Sequence, residues 1–86
     1  MSYTVSWTPQ AEAELARVWN AARDRAEVTI AAREIDIQLR ADPLNAGESR
    51  ELGTRVFFAT PLAVTFHVSI PDRLVRVVDL WRFRQE

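Results

Sequence analysis

Residues 62–70 read LAVTFHVSI, and the predicted fold is built around this segment. Apolar residues alternate there with small or polar residues, which is the two-residue period of a β-strand. The apolar set is Leu62, Val64, Phe66, Val68 and Ile70. The pattern therefore predicts a strand with one face against a core, and it puts His67 on the other face.

Two further strands are predicted on either side of this one. Residues 55–59 (RVFFA) come before it across a tight turn at Thr60-Pro61, and residues 73–83 follow a turn at Pro71-Asp72. The last segment is predicted to carry Leu74, Val78 and Leu80 on one face and Val75, Val77, Trp81 and Phe83 on the other. Apolar residues on both faces indicate a central or covered strand.

The first half of the chain predicts one strand and two helices. Residues 3–7 (YTVSW) alternate as a short strand, and Thr8-Pro9 then begins a helix that is expected to run to about Arg23. A second helix is expected at residues 25–41, because Pro43 disfavours a helical conformation at the residue before it. Residues 44–53 hold both glycines and a run of charges, so they are predicted to form a solvated loop.

Taken in order, these elements predict an α+β fold in a single domain spanning residues 1–86. An N-terminal strand and a helical hairpin are followed by a three-stranded antiparallel meander, and the strands together form a four-stranded twisted sheet. A chain of 86 residues has room for one core only.

The second helix carries a second apolar line opposite its main stripe. Ile30 and Ile37 project away from the stripe of Val28, Ile35 and Leu39 at about 100° per residue. One interpretation is that this helix is wedged between the sheet and the first helix. The other is that Ile30 and Ile37 dock a partner.

The composition excludes several classes of function. The chain has no cysteine, which rules out disulfides, thiolate metal sites and a cysteine nucleophile. Two glycines are too few for a glycine-rich phosphate loop, and no dense spacing of metal ligands occurs, so neither a cofactor nor a metal is expected. No leader and no run of 18 apolar residues is found, which predicts a cytoplasmic protein without membrane contact.

All 11 basic residues are arginines, and the net charge of −1 hides an asymmetry. Residues 1–53 hold six arginines and nine acids, whereas residues 54–86 hold five arginines and three acids. The arginines of the second part are Arg55, Arg73, Arg76, Arg82 and Arg84. Arginines next to Trp81 and Phe83 could contact phosphates while bases stack on the aromatic rings. Charges on a strand can also prevent aggregation at a sheet edge, and both interpretations stay open.

Several short segments occur in a distinctive order. They are residues 3–11 (YTVSWTPQA), Glu14-Leu15 in the first helix, Asp42-Pro43 with Gly47, Arg55, and a last strand that runs into Arg82 and Arg84. This order, over nearly the whole chain, resembles the toxins of the RelE/ParE superfamily from bacterial type II toxin-antitoxin modules. The resemblance implies a helical hairpin on a twisted sheet and a cognate antitoxin that wraps the toxin.

The superfamily has two branches with different targets. The resemblance to RelE-like toxins implies cleavage of ribosome-bound messenger RNA, with Arg55, Arg82 and Arg84 on phosphate and His67 or Glu48 in proton transfer. ParE-like toxins share the fold and poison DNA gyrase instead. An arginine and two lysines of the RelE-like set fall on Ala63 and near Val56 and Phe58, so the sequence favours ParE-like action by binding.

The resemblance also implies a surface for the antitoxin. The expected site is the groove between the helical hairpin and the sheet, with Ile30, Ile37, Arg76, Trp81 and Phe83 as the partner-binding residues. A relative that has lost toxicity and serves only as a protein-interaction module is a further alternative. Self-association into a homodimer stays open.

Overall fold

A computed structural model describes residues 2–83 of the chain. Two helices and five strands follow one another as β1 (Thr4–Trp7), α1 (Pro9–Ala21), α2 (Arg25–Ala41), β2 (Glu48–Ser49), β3 (Thr54–Ala59), β4 (Leu62–Ser69) and β5 (Leu74–Arg82). The α+β class and the order of elements are thus as predicted. Arg84 lies outside the described residues.

The strands form one sheet in the order β1-β5-β4-β3-β2. β1 pairs with β5 in parallel, and all other neighbours are antiparallel. The predicted count of four strands was wrong by one, because part of the predicted loop forms β2. Two residues of β2 pair with β3, and a run this short has no alternation that a sequence pattern could reveal.

The start of α1 and the end of α2 lie where local chemistry predicts them. The Thr8 hydroxyl accepts a hydrogen bond from the Ala11 backbone N–H at 3.1 Å, and Pro9 occupies the first helical turn. α2 ends at Ala41, and Pro43 beyond it is fully buried. Within residues 2–83, neither helix is long and apolar enough to cross a membrane.

The two helices pack on one face of the sheet and leave the other face without a helix. Val28, Ile35 and Leu39 of α2 are fully buried against Val64 and Phe66 of β4. This arrangement corrects the interpretation that α2 is wedged between two layers. Ile30 and Ile37 remain 65% and 55% exposed, because α2 has the sheet on one side and solvent on the other.

A β-bulge at Val78 changes the side on which the residues of β5 point. Phe66 pairs with Val77 and Thr65 with Asp79, so Val78 is an extra residue without its own partner. The predicted faces of β5 were therefore wrong after this point. Val75, Val77 and Leu80 all face the helices and are buried, and Trp81 lies on the opposite face.

β2 is held to β3 through two contacts that need Gly47 and Arg55. The Arg55 side chain donates hydrogen bonds to the carbonyls of Ala46 and Gly47 at 3.1 and 3.3 Å. Gly47 has a positive φ of 66°, and a Cβ there would overlap the Val56 carbonyl group. Only glycine fits this position, because the β3 backbone passes directly against it.

We expect Gly47→Ala to lower the free energy of unfolding by more than about 2 kcal/mol, since it adds a backbone clash to the cost of a left-handed residue. Gly53→Ala is the matched control. Gly53 also has a positive φ of 75°, but open space surrounds the place of its Cβ. Its loss should be about 1 kcal/mol. Urea unfolding of both variants gives the comparison, and equal losses would contradict the clash.

Candidate functional site

An apolar groove of about 920 Å³ runs between β1, α1 and α2. Its walls include Trp7 of β1, Leu15 and Trp19 of α1, and Val28 and Ala32 of α2. The ring of Trp19 is 40% exposed there, although its indole N–H donates to the Thr29 hydroxyl at 3.1 Å. An open groove with this lining can take apolar side chains of a partner.

The free edge of β1 forms one side of this groove. Thr4 and Thr8 donate backbone hydrogen bonds to the carbonyls of Arg73 and Val77, and these bonds belong to the parallel ladder with β5. Strand geometry alternates, so the backbone groups of Val5 and Trp7 point away from β5. A partner segment in extended conformation could pair with them.

Aromatic and small apolar residues form a cluster on the helix-free face of the sheet. Phe58, Ala63 and Trp81 lie directly opposite one another on β3, β4 and β5. Phe83 packs edge to face on Phe58 with ring centroids 5.4 Å apart. Ala63 is fully buried beneath this cluster, whereas Phe58 remains 48% exposed.

The charges of the helix-free face are mixed in sign. Arg76 and His67 lie opposite each other near one end, and Asp79 and Glu48 lie closer to the aromatic cluster. Glu48 also pairs with Arg50 at 2.9 Å. This balance does not create the broad positive field that nucleic-acid backbones require.

Arg82 is held by Asp24, which lies between the two helices. Its guanidinium binds both carboxylate oxygens at 2.9 and 2.8 Å, a bidentate contact between the end of β5 and the helical hairpin. The hydrogen bond from Arg82 lowers the pKa of the Asp24 carboxyl group, and the same bond raises the pKa of Arg82. The charge of Arg82 is therefore balanced by a carboxylate of the protein itself, although both side chains remain partly exposed.

The four residues predicted for catalysis do not meet in the part of the chain that the structure describes. Arg55 and Arg82 lie on the helix-bearing face, separated by four residues along the strands and two strands across, or about 13 and 10 Å. His67 lies on the helix-free face. Arg84 is outside the described range. Residues 2–83 also contain no group of three potential metal ligands.

The residues predicted for partner binding fall on separate surfaces. Ile30 and Ile37 lie on the outer side of α2 and do not line the groove. Trp81, Phe83 and Arg76 belong to the helix-free face of the sheet, which is on the other side of the molecule. No single partner surface includes all five, so their roles remain predictions for two different surfaces.

Two exposed aromatic residues in these surfaces, Trp19 and Phe58, were not predicted as functional residues. Trp19 follows the apolar stripe of α1, so its pattern is that of a core residue. Phe58 lies in the run Val56-Phe57-Phe58, where adjacent aromatic residues obscure the alternation. Arg25 lies six positions from Trp19, and its guanidinium is 4.7 Å from the Trp19 ring centroid, a contact that no sequence pattern indicated.

No protein-family model matches this sequence, and no curated protein sequence matches it. Solved structures do match. The RelBE2 toxin-antitoxin complex of Mycobacterium tuberculosis contains a chain that is 19% identical with a TM-score of 0.80, over 99% of this chain and 95% of the other.

Two other solved structures are similar over most of both chains. The chromosomal ParDE system of P. aeruginosa contains a chain that is 18% identical, with a TM-score of 0.67 over 95% of this chain and 97% of the other. The isolated RelE toxin of E. coli is 10% identical, with a TM-score of 0.65 over 98% and 87%. The chain therefore has the RelE/ParE fold, as the resemblance in sequence predicted.

We expect Asp24→Asn to lower the thermal midpoint at neutral pH, because it removes the charge that binds Arg82. A carboxyl group with a lowered pKa stabilises the folded state above its unfolded pKa of about 4 and loses this effect as the pH falls further. The difference from the unsubstituted protein should thus shrink below about pH 4. Asp36→Asn is the control, since its pair with Arg40 lies within α2. Equal shifts for both variants at neutral pH would contradict this role of Asp24.

Proposed function

We propose that this protein is the toxin of a type II toxin-antitoxin pair and that it acts in the ParE-like manner, by binding an essential target such as DNA gyrase. The RelE/ParE fold supports the toxin role in general. The choice of branch depends on the helix-free face of the sheet.

The ParE-like branch is favoured over the RelE-like branch by the apolar row of Phe58, Ala63 and Trp81. RelE-like cleavage requires cations on this part of the sheet, at positions that correspond to Ala63 and lie near Val56 and Phe58. Here Ala63 is fully buried and Val56 is 7% exposed. The negative charge that grows in the transition state would face apolar side chains here instead of cations. Loss of even one hydrogen-bond donor raises the activation free energy by about 3 kcal/mol.

Within residues 2–83, the two arginines predicted for phosphate contact in RelE-like cleavage already have partners in the protein. Arg55 donates to backbone carbonyls and Arg82 binds Asp24, so neither is free for a substrate phosphate. A partly exposed aromatic cluster is, in contrast, typical of protein interfaces. Binding to a protein target therefore accounts for the helix-free face better than catalysis does.

The test is induction of the gene alone in a bacterial host. We expect growth arrest with double-strand breaks in DNA, which pulsed-field electrophoresis detects, and no ribosome-phased cuts in transcripts. Phe58→Ala should reduce the arrest, because it removes an exposed aromatic side chain from the proposed interface. Leu52→Ala is the matched control, since Leu52 is 94% exposed at the tip between β2 and β3.

The outcomes separate the three candidate functions. Ribosome-phased transcript cuts would replace the proposal with messenger RNA cleavage. Unchanged growth, with the protein present at high level, would leave a protein-interaction module without toxicity. Equal loss of toxicity in Phe58→Ala and Leu52→Ala would refute the proposed interface.

The groove between β1, α1 and α2 is the proposed site of the antitoxin. Its apolar walls can bury aliphatic side chains, and the free edge of β1 can pair with an extended segment. The antitoxin complexes among the structural neighbours support a partner of this kind.

Two arginine substitutions on one face of α1 test this site. Ala16 and Ala13 are both exposed, but only Ala16 lines the groove. We expect Ala16→Arg to weaken binding of the protein encoded by the adjacent gene about a hundredfold, because a charge enters an apolar interface. Ala13→Arg should bind normally. Calorimetry measures both, and normal binding by Ala16→Arg would exclude the groove.

A further inference from the structure

Arg76 lies on β5, an interior strand of the sheet, and it has no ion pair or side-chain hydrogen bond within residues 2–83. Residues 2–83 contain ten arginines, and most of them form an ion pair, a side-chain hydrogen bond or a contact with an aromatic ring. Within that range Arg23, Arg33 and Arg76 form none of these, and Arg76 is the one that lies on a strand. A guanidinium held on a rigid sheet without a counter-charge is suited to an external anion.

Two other donors flank Arg76 on the neighbouring strands. Ser6 of β1 and His67 of β4 both lie directly opposite Arg76, on the helix-free face. Direct opposition brings Cβ atoms of neighbouring strands to about 5 Å, which lets three side chains reach one ligand. Within residues 2–83 no carboxylate lies within 4.0 Å of the guanidinium of Arg76 or the imidazole of His67.

Other polar side chains near this row have partners already. The Thr54 hydroxyl donates to the Glu51 carbonyl at 2.8 Å, and the Ser69 hydroxyl donates to Asp72 at 3.0 Å. The Asp79 carboxylate accepts from the Leu80 backbone N–H at 2.9 Å. The donor set for an external ligand thus narrows to Ser6, Arg76 and His67.

A cavity of about 470 Å³ opens at the part of this row that Arg76 and His67 form, and Ser6 lies outside its lining. His67, Arg76 and Ser69 supply its polar wall, and Leu74 and Val78 supply its apolar wall. Val78 is the bulged residue of β5, and bulges occur often beside binding sites because they change the direction of neighbouring side chains. The volume is in the range that small organic ligands occupy.

We propose that Ser6, Arg76 and His67 form a binding site for a phosphate group, with Leu74 and Val78 in contact with the organic part of the ligand. Arginine and imidazole N–H groups with a hydroxyl are the donors that a tetrahedral oxyanion takes. Ser6 also lines the antitoxin groove, but Arg76 and His67 do not, and neither belongs to the aromatic cluster. The proposed site therefore does not depend on the proposed toxin function.

The test is an NMR titration of the full chain in a buffer without phosphate. His67 is the sole histidine of the sequence, so its ring signals are unambiguous. Inorganic phosphate, adenosine monophosphate and a short single-stranded RNA are added in separate series, with sodium chloride at matched ionic strength as the reference. We expect saturable shifts of the His67 ring. Saturation by the two small ligands identifies a site for small phosphorylated molecules, and saturation by RNA alone identifies a contact to a nucleic-acid backbone.

Arg76→Gln should weaken the tightest of these interactions about tenfold, because it removes a charge-assisted hydrogen bond. Arg33→Gln is the matched control, since Arg33 also lacks an internal partner but lies on α2. The melting temperature of both variants shows that they fold. Shifts that chloride reproduces, or an equal loss in both variants, would overturn the site.

Discussion

The extra residue at Val78 decides on which side of the sheet each end of β5 presents its side chains. Before the bulge, Val75 and Val77 face the helices. After it, Leu80 takes over that role, although strict alternation would turn it outward. The shift allows Arg82 to reach Asp24 at the helical hairpin and puts Trp81 and Phe83 on the helix-free face. Without it, the aromatic residues would face the helices and Leu80 would face solvent.

The same constraint separates the functions that the molecule can support. The helix-bearing face ends in a groove with an exposed strand edge, which suits an extended protein segment. The helix-free face holds an aromatic cluster at one end and, near the other, Arg76, which has no ion pair within residues 2–83. Because a sheet is rigid and two-sided, these surfaces can be used independently, and residues on one face cannot complete a catalytic group on the other.

Much of the fold could be predicted from residues whose effect is local. Thr8 and Pro9 begin α1 through a hydrogen bond and a fixed φ, and the alternation in residues 62–70 identifies β4. β2 could not be predicted, because two residues carry no period. The candidate site could be predicted only in part. Residue type indicated Arg55, Arg82 and His67 as candidate catalytic residues. In the structure, Arg55 stabilises the β2–β3 hairpin, and Arg82 binds Asp24 at the helical hairpin.

The class of fold, the order of the helices and of the four longer strands, and the end of α2 follow from the sequence alone, since proline and hydrophobic period act over a few neighbouring residues. Which arginines form ion pairs within the protein depends on the tertiary structure. Asp24 and Arg82 are 58 positions apart in the chain, and Ser6 and Arg76 meet only because β1 joins the sheet beside β5. Contacts of this kind depend on the register between distant strands, and a single bulged residue is enough to change that register.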